Sequence, residues 1–136
     1  MKSIDFLIKE KVHHRKIQLS IASVLDVALS NVQLINSIEE FPKKNTVKIV
    51  CHIQQFKDGF QQMVSLYYHN DSFDVESFAF DISEFLKIDC LFPSDEINPY
   101  IMLLYTPDRK KYEASMEIEK LDENIYVVES KELISV

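Results

Sequence analysis

Gly59 is the single glycine among 136 residues, where average usage of about 7% would supply roughly ten. A chain so poor in sterically open backbone has no material for a P-loop, a dinucleotide fingerprint or any other multi-glycine phosphate cradle. Nucleotide chemistry of the common kinds is thereby nearly excluded. The glycine also shapes the fold, because it directly follows Asp58, and Asp-Gly between alternating apolar runs is a strong hairpin signal. Val47, Ile49, Cys51 and Ile53 share one face of a strand before it, and Met63 to Tyr68 is rich in β-branched and aromatic side chains after it.

Hydrophobic period places most of the remaining elements. Ile17, Ile21, Val24, Leu25 and Ala28 recur at helical spacing and predict a helix over residues 15–29, with turn chemistry at Ser30-Asn31. Ile4, Leu7, Ile8 and Val12 fit the same spacing, so residues 1–14 are expected to form a separate N-terminal helical segment or an earlier turn or two of that helix. Val32 to Ile35 reads as a strand. After the hairpin, Asn70, Asp71 and Ser72 are candidate N-caps for the clearest helix, in which Val75, Phe78, Ala79, Ile82, Phe85 and Leu86 form one apolar face. Cys90-Leu91-Phe92 stops at Pro93 and a polar loop follows. Ile101 to Tyr105 is continuously apolar, as in a strand covered on both faces, and Thr106 to Lys110 turns the chain. Tyr112, Ala114, Met116 and Ile118 then alternate with Glu113, Ser115, Glu117 and Glu119, which predicts one packed and one wet strand face. A turn at Leu121 to Asn124, a short strand Ile125 to Val128 and a frayed tail over residues 130–136 close the chain.

The order predicts a single α+β domain over residues 1–136, an antiparallel sheet with two main helices packed on one face. At this length about 70% of the unfolded chain's surface is buried, enough for one core without metals or disulfides. Ile21 to Val27 and Ile82 to Ile88 share an apolar rhythm before their strand groups, which admits a duplicated αβββ unit.

Charge is unevenly spread. The net charge is -7, yet residues 1–57 hold nine basic and five acidic side chains while residues 58–136 hold six and seventeen, net +4 against -11. Such a field opposes binding to nucleic-acid backbones. An acidic half can be a solvated face, and it can also be a docking surface for something basic. The N-terminal apolar residues are broken by charge every three or four positions, which excludes a signal-peptide core or membrane span there and predicts a cytoplasmic protein.

Groups able to carry chemistry are scattered. Cys51 and His52 are adjacent on a strand and point to opposite faces, so they form no nucleophile-base pair. His13-His14 lacks the spacing of a metal motif, and His69 near Asp71 has no visible catalytic partner. No cofactor, metal or enzymatic activity is expected. Lys43, Lys44 and Lys48 solvate a loop and strand edge. Phe80 breaks the pattern of the second helix. With Val75 at zero and about 100° per residue, the apolar set lies within about 80° and Phe80 at about 140°. It is expected to be an exposed ring framed by Glu76 and Glu84, the composition of an interface anchor.

Ile21 to Ile35 with Cys51, Gly59-Phe60, Leu66-Tyr67, the second helix, and Asp89-Cys90-Leu91-Phe92 through Asn98-Pro99-Tyr100-Ile101-Met102-Leu103-Leu104 together resemble, in rhythm, small immunity proteins of bacterial polymorphic and contact-dependent toxin systems. The resemblance carries no residue roles. It implies a cytoplasmic protein that binds one cognate toxin domain, often a nuclease, and blocks its substrate site; separately, a monomer or homodimer with no membrane and no direct nucleic-acid partner is expected. An acidic protein suits the basic surface that holds nucleic acid. The residues expected to meet that surface are Glu76, Phe80, Asp81, Glu84, Asp95, Glu96, Glu113, Glu117 and Glu119. The alternative is a type III secretion chaperone binding an effector segment. Such chaperones are also small, acidic and α+β, but usually close with a long amphipathic helix where this chain has Tyr126-Val127-Val128. A small enzyme is the third and least supported class.

Overall fold

A computed structural model describes residues 2–42, 49–69 and 73–135. Among the described residues, Lys2–Ile8 (β1), Val32–Ile35 (β2), Ile49–Gln55 (β3), Gln62–Tyr68 (β4), Cys90–Pro93 (β5), Ile101–Tyr105 (β6), Lys111–Met116 (β7) and Val128–Ser135 (β8) form one sheet. Its order is β2-β3-β4-β1-β5-β6-β7-β8. Helices His14–Val24 (α1) and Val75–Leu86 (α2) pack on one face, and a short helix, Ile118–Asp122 (α3), follows β7. The α+β class is as the sequence predicts, with one exception to the antiparallel sheet: β2 runs parallel to β3, from Val32 opposite Ile49 to Ile35 opposite His52.

The N-terminal segment is not helical. β1 lies between β4, from Lys2 opposite Tyr68 to Ile8 opposite Gln62, and β5, through Leu7 opposite Leu91. Ile4, Phe6 and Ile8 face the helices while Leu7 belongs to a separate cluster on the other face. Apolar residues at 4, 7, 8 and 12 satisfy a helical period, but those at 4, 6 and 8 satisfy a strand period equally well, and two strands with unpaired backbone decide between them. α1 also stops earlier than its spacing suggests. Asp26 is left-handed (φ 52) and the chain leaves the helix, yet Val27 and Leu29 still pack on the core from the connection. Their apolar character extends the helical pattern without extending the helix.

α2 spans the predicted apolar face from Val75 to Leu86, but its cap lies later than the candidates at residues 70–72. Its N-cap is Asp74, whose Oδ1 accepts from the Glu76 N–H at 3.1 Å; Asn70, Asp71 and Ser72 lie outside the described residues, as do Val47, Lys43, Lys44 and Lys48. Lys87 ends the helix in the left-handed region (φ 59).

The second face of the sheet is not simply wet. Leu7, Phe60, Leu91, Leu104, Ala114 and Met116 form a smaller core there, covered by Phe56, Leu121, Tyr126 and Val128. β6 is therefore covered on both faces toward its end, where Leu104 and Tyr105 are buried. Gly59 makes the cover possible. It is left-handed (φ 69), and a Cβ there would sit 2.4 Å from the Tyr126 carbonyl oxygen, which accepts the Phe60 N–H at 2.9 Å.

The end of the chain departs most from expectation. Strand geometry stops at Met116, Glu117 and Glu119 belong to the start of α3, and Ile118 faces solvent while Leu121 reaches the second core. Residues expected to fray, Ser130 onward, are most of the edge strand β8. The element order α1-β2-β3-β4 and α2-β5-β6-β7 does repeat as αβββ, but β2–β3 is parallel where β5–β6 is antiparallel. The shared rhythm is one of element order and not of strand pairing.

Candidate functional site

The flank of α2 that faces away from α1 is met by β6, β7 and the turn between them. The turn is tied by a hydrogen bond from the Thr106 hydroxyl to Asp108, which holds the Asp108 carboxyl below its usual range. Arg109 takes a left-handed conformation (φ 61) and reaches back over α2. Its Nη1 donates to Asp81 Oδ1 at 2.9 Å and lies 3.7 Å from Glu84 Oε1, and its guanidinium sits 5.3 Å from the centre of the Phe80 ring. That ring meets Tyr105 edge-on at 5.0 Å. One turn earlier on α2, Lys111 Nζ donates to Glu76 Oε2 at 2.7 Å and lies 5.9 Å from the Tyr105 ring centre. The hydrogen bond to Glu76 raises the Lys111 pKa above its ordinary value, and burial raises that of Tyr105.

Phe80 is therefore not the free-standing ring that its helical angle predicts. It is half-buried and packs against the main core through Tyr105. A helical wheel assumes one packing partner, whereas α2 has the sheet beneath it and the β6–β7 hairpin beside it, and Phe80 turns to the hairpin. Phe85, placed in the core by the same wheel, is 43% exposed on the opposite flank. Ser83 is the buried residue that sequence reasoning missed. Its hydroxyl donates toward the Ile88 and Tyr105 carbonyls, at 2.8 and 3.1 Å, and so bonds the end of α2 to β6. A serine on an otherwise apolar flank gives no signal that it will be satisfied in this way.

The structure brings Glu76, Phe80, Asp81 and Glu84 onto one surface. Asp95 joins them, because the turn after β5 carries it to a cavity that Glu76 also lines. Glu96 lines a different cavity with Leu121 and Tyr126, beside the fully exposed Ile97. Glu113 sits on β7 opposite Leu103 and Glu132, on the helix side of the sheet. Glu117 and Glu119 stand at α3, whose Leu121 packs on the second face, so they do not share a surface with the α2 carboxylates.

The groups considered for chemistry are engaged structurally. Burial pushes the Cys51 thiol up to about 12 and raises Cys90 as well, which removes both as nucleophiles near neutral pH. His13 Nδ1 caps α1 by accepting the Arg15 N–H, His14 contacts Gln55 at 3.0 Å, and His52 contacts the Asn36 carbonyl at 3.2 Å. Asp71, the neighbour considered for His69, lies outside the described residues. Among the described residues no three His, Cys, Asp or Glu side chains converge as a metal site, and no helix is long and apolar enough to cross a membrane. The arrangement around α2 offers an acidic, aromatic surface. No protein-family model, no curated protein and no solved structure matches the chain.

Proposed function

We propose that this protein is an immunity protein of a bacterial toxin system, acting in the cytoplasm by binding and neutralising one cognate toxin domain, a nuclease, through its acidic face. The carrying observation is the gathering of Asp74, Glu76, Asp81, Glu84, Asp95 and Glu113 around α2 and its cavity, with Arg109 and Lys111 paired among them. A nuclease must present cations to its phosphate-bearing substrate, and a rigid carboxylate surface competes for those cations. The chaperone reading draws less support, since the clustered carboxylates around α2 suit a folded basic domain more than an extended effector segment.

The test is coexpression with the protein encoded beside its gene, followed by a nuclease assay of the purified neighbour with and without added immunity protein. Stable copurification and loss of nuclease activity at equimolar protein are expected. A basic toxic neighbour that neither copurifies nor loses activity overturns the reading.

A further inference from the structure

At the N-terminal end of α2, beyond the surface that Arg109 covers, lies an open cavity of about 630 Å³, within the size range of small-ligand pockets. Ile4, Val75, Leu103 and the rings of Tyr68 and Tyr105 supply its apolar walls. Glu76 and Asp95 bring two carboxylates to it and Lys111 one cation, while Asp5 borders it from β1 with its side chain on the second face, where its charge acts on Tyr126.

We propose that this cavity is the anchor site for a single arginine side chain of the toxin, an inference that rests on the function proposed above and specifies its ligand. Lys111 already demonstrates the recognition. Its ammonium, on a side chain only 17% exposed, is held between the Glu76 carboxylate and the face of Tyr105. A second cation enters a site in which the Glu76 and Asp95 carboxylates face the single Lys111 ammonium, so the field favours it. Aromatic and aliphatic walls cover the methylenes of a long basic side chain while its head stays polar. Arginine fits better than lysine because a planar guanidinium both stacks on a ring and pairs with a carboxylate through two parallel N–H groups. The Arg109 guanidinium above Phe80, between Asp81 and Glu84, is the same arrangement already filled from within the chain. It leaves the neighbouring cavity as the place where a partner's arginine can enter without displacing an internal one.

The experiment is an amide NMR titration of the intact protein with the capped tripeptide Gly-Arg-Gly, and with its Gly-citrulline-Gly and Gly-Lys-Gly counterparts. Saturable shifts at Ile4, Glu76, Asp95 and Tyr105 with the arginine peptide, weaker ones with lysine and none with citrulline are expected. Shifts spread evenly over all acidic positions, including Glu117 and Glu119, or equal binding of the lysine peptide, overturn the proposal. Asp95→Asn, on an exposed turn, is expected to weaken both the peptide and the toxin by about threefold, the size of one exposed ion pair; Glu76→Gln serves as the second variant. Inhibition of the toxin with affinity unchanged in both variants defeats the cavity and leaves the immunity reading standing. Selective arginine binding beside an uninhibited toxin does the reverse.

Discussion

Three positions carry consequences that single substitutions expose. At Gly59 a side chain meets a left-handed backbone and the Tyr126 carbonyl oxygen at once, so Gly59→Ala is expected to lower stability by about 2 kcal/mol or more in urea unfolding. An unchanged midpoint would show that residues 125–127 can retreat without cost. Phe80→Ala removes a ring that touches Tyr105 and Arg109, and a half-buried phenylalanine is worth about 1–2 kcal/mol. An exposed anchor would cost less than about 0.5 kcal/mol, so the same melt distinguishes the structural placement from the one its helical angle predicts. Lys111 and Tyr105 together set an alkaline limit. Lys111 is raised above 10.5, so its stabilising contribution is complete below that value and is lost as pH climbs through the higher folded-state value. Tyr105 is raised above 10.0, so the unfolded chain releases that proton first and stability again falls with rising pH. A melting temperature flat from pH 7 to about 9.5 and falling above it is expected, with a shallower fall in Lys111→Met. Parallel curves for the two proteins would remove Lys111 from the account.

At the level of elements, legibility in the sequence follows how local each determinant is. α2 and the β3–β4 hairpin are readable because a full apolar face and an Asp-Gly turn act within a dozen residues. β1 is ambiguous because residues 4 to 12 satisfy two periods, and the choice is made by β4 and β5, more than fifty residues away in sequence. α3 is hidden because alternation through Glu119 continues the strand pattern, and only the second core, which Leu121 reaches, shows why the strand stops at Met116. The candidate surface was legible in its residue types on α2 and illegible in its counterions, since nothing local announces that Arg109 and Lys111 fold back onto Asp81, Glu84 and Glu76. The central position of β1 gives this scale its prediction. A chain lacking residues 1–8 leaves the facing backbones of β4 and β5 unpaired and removes Phe6, Leu7 and Ile8 from two cores. It is expected to lose cooperative thermal unfolding, whereas an accessory N-terminal segment could be removed with the transition preserved.

For the whole molecule, charge is separated along the strands. β1 begins beside the acidic cavity, where Ser3, Ile4 and Asp5 meet Glu76 and Asp95, and runs toward Lys9 and Lys11 near the start of α1. Among the described residues, the acidic end holds Asp5, Asp74, Glu76, Asp95 and Glu96 with Lys2 and Lys111, and the other end holds Lys9, Lys11, Arg15, Lys16 and Lys57 with Glu10, Asp58 and Asp89, together with Arg109 and its partners Asp81 and Glu84. Seven strand residues separate the two ends by about 23 Å, several times the Debye length of about 8 Å at physiological salt. A partner close to either end therefore feels mainly that end, so the field both attracts a basic toxin domain and turns the molecule's acidic end toward it. The association rate with the toxin should then fall steeply between about 50 and 500 mM salt, as the Debye length shrinks from roughly 14 to 4 Å. Dissociation, governed by contacts already formed, should change much less. Charge reversal at Asp95, at the acidic end, should slow association more than reversal at Glu10, at the other end. An association rate indifferent to salt, or equal effects at Asp95 and Glu10, would mean that the uneven charge serves solubility alone and that recognition depends on shape.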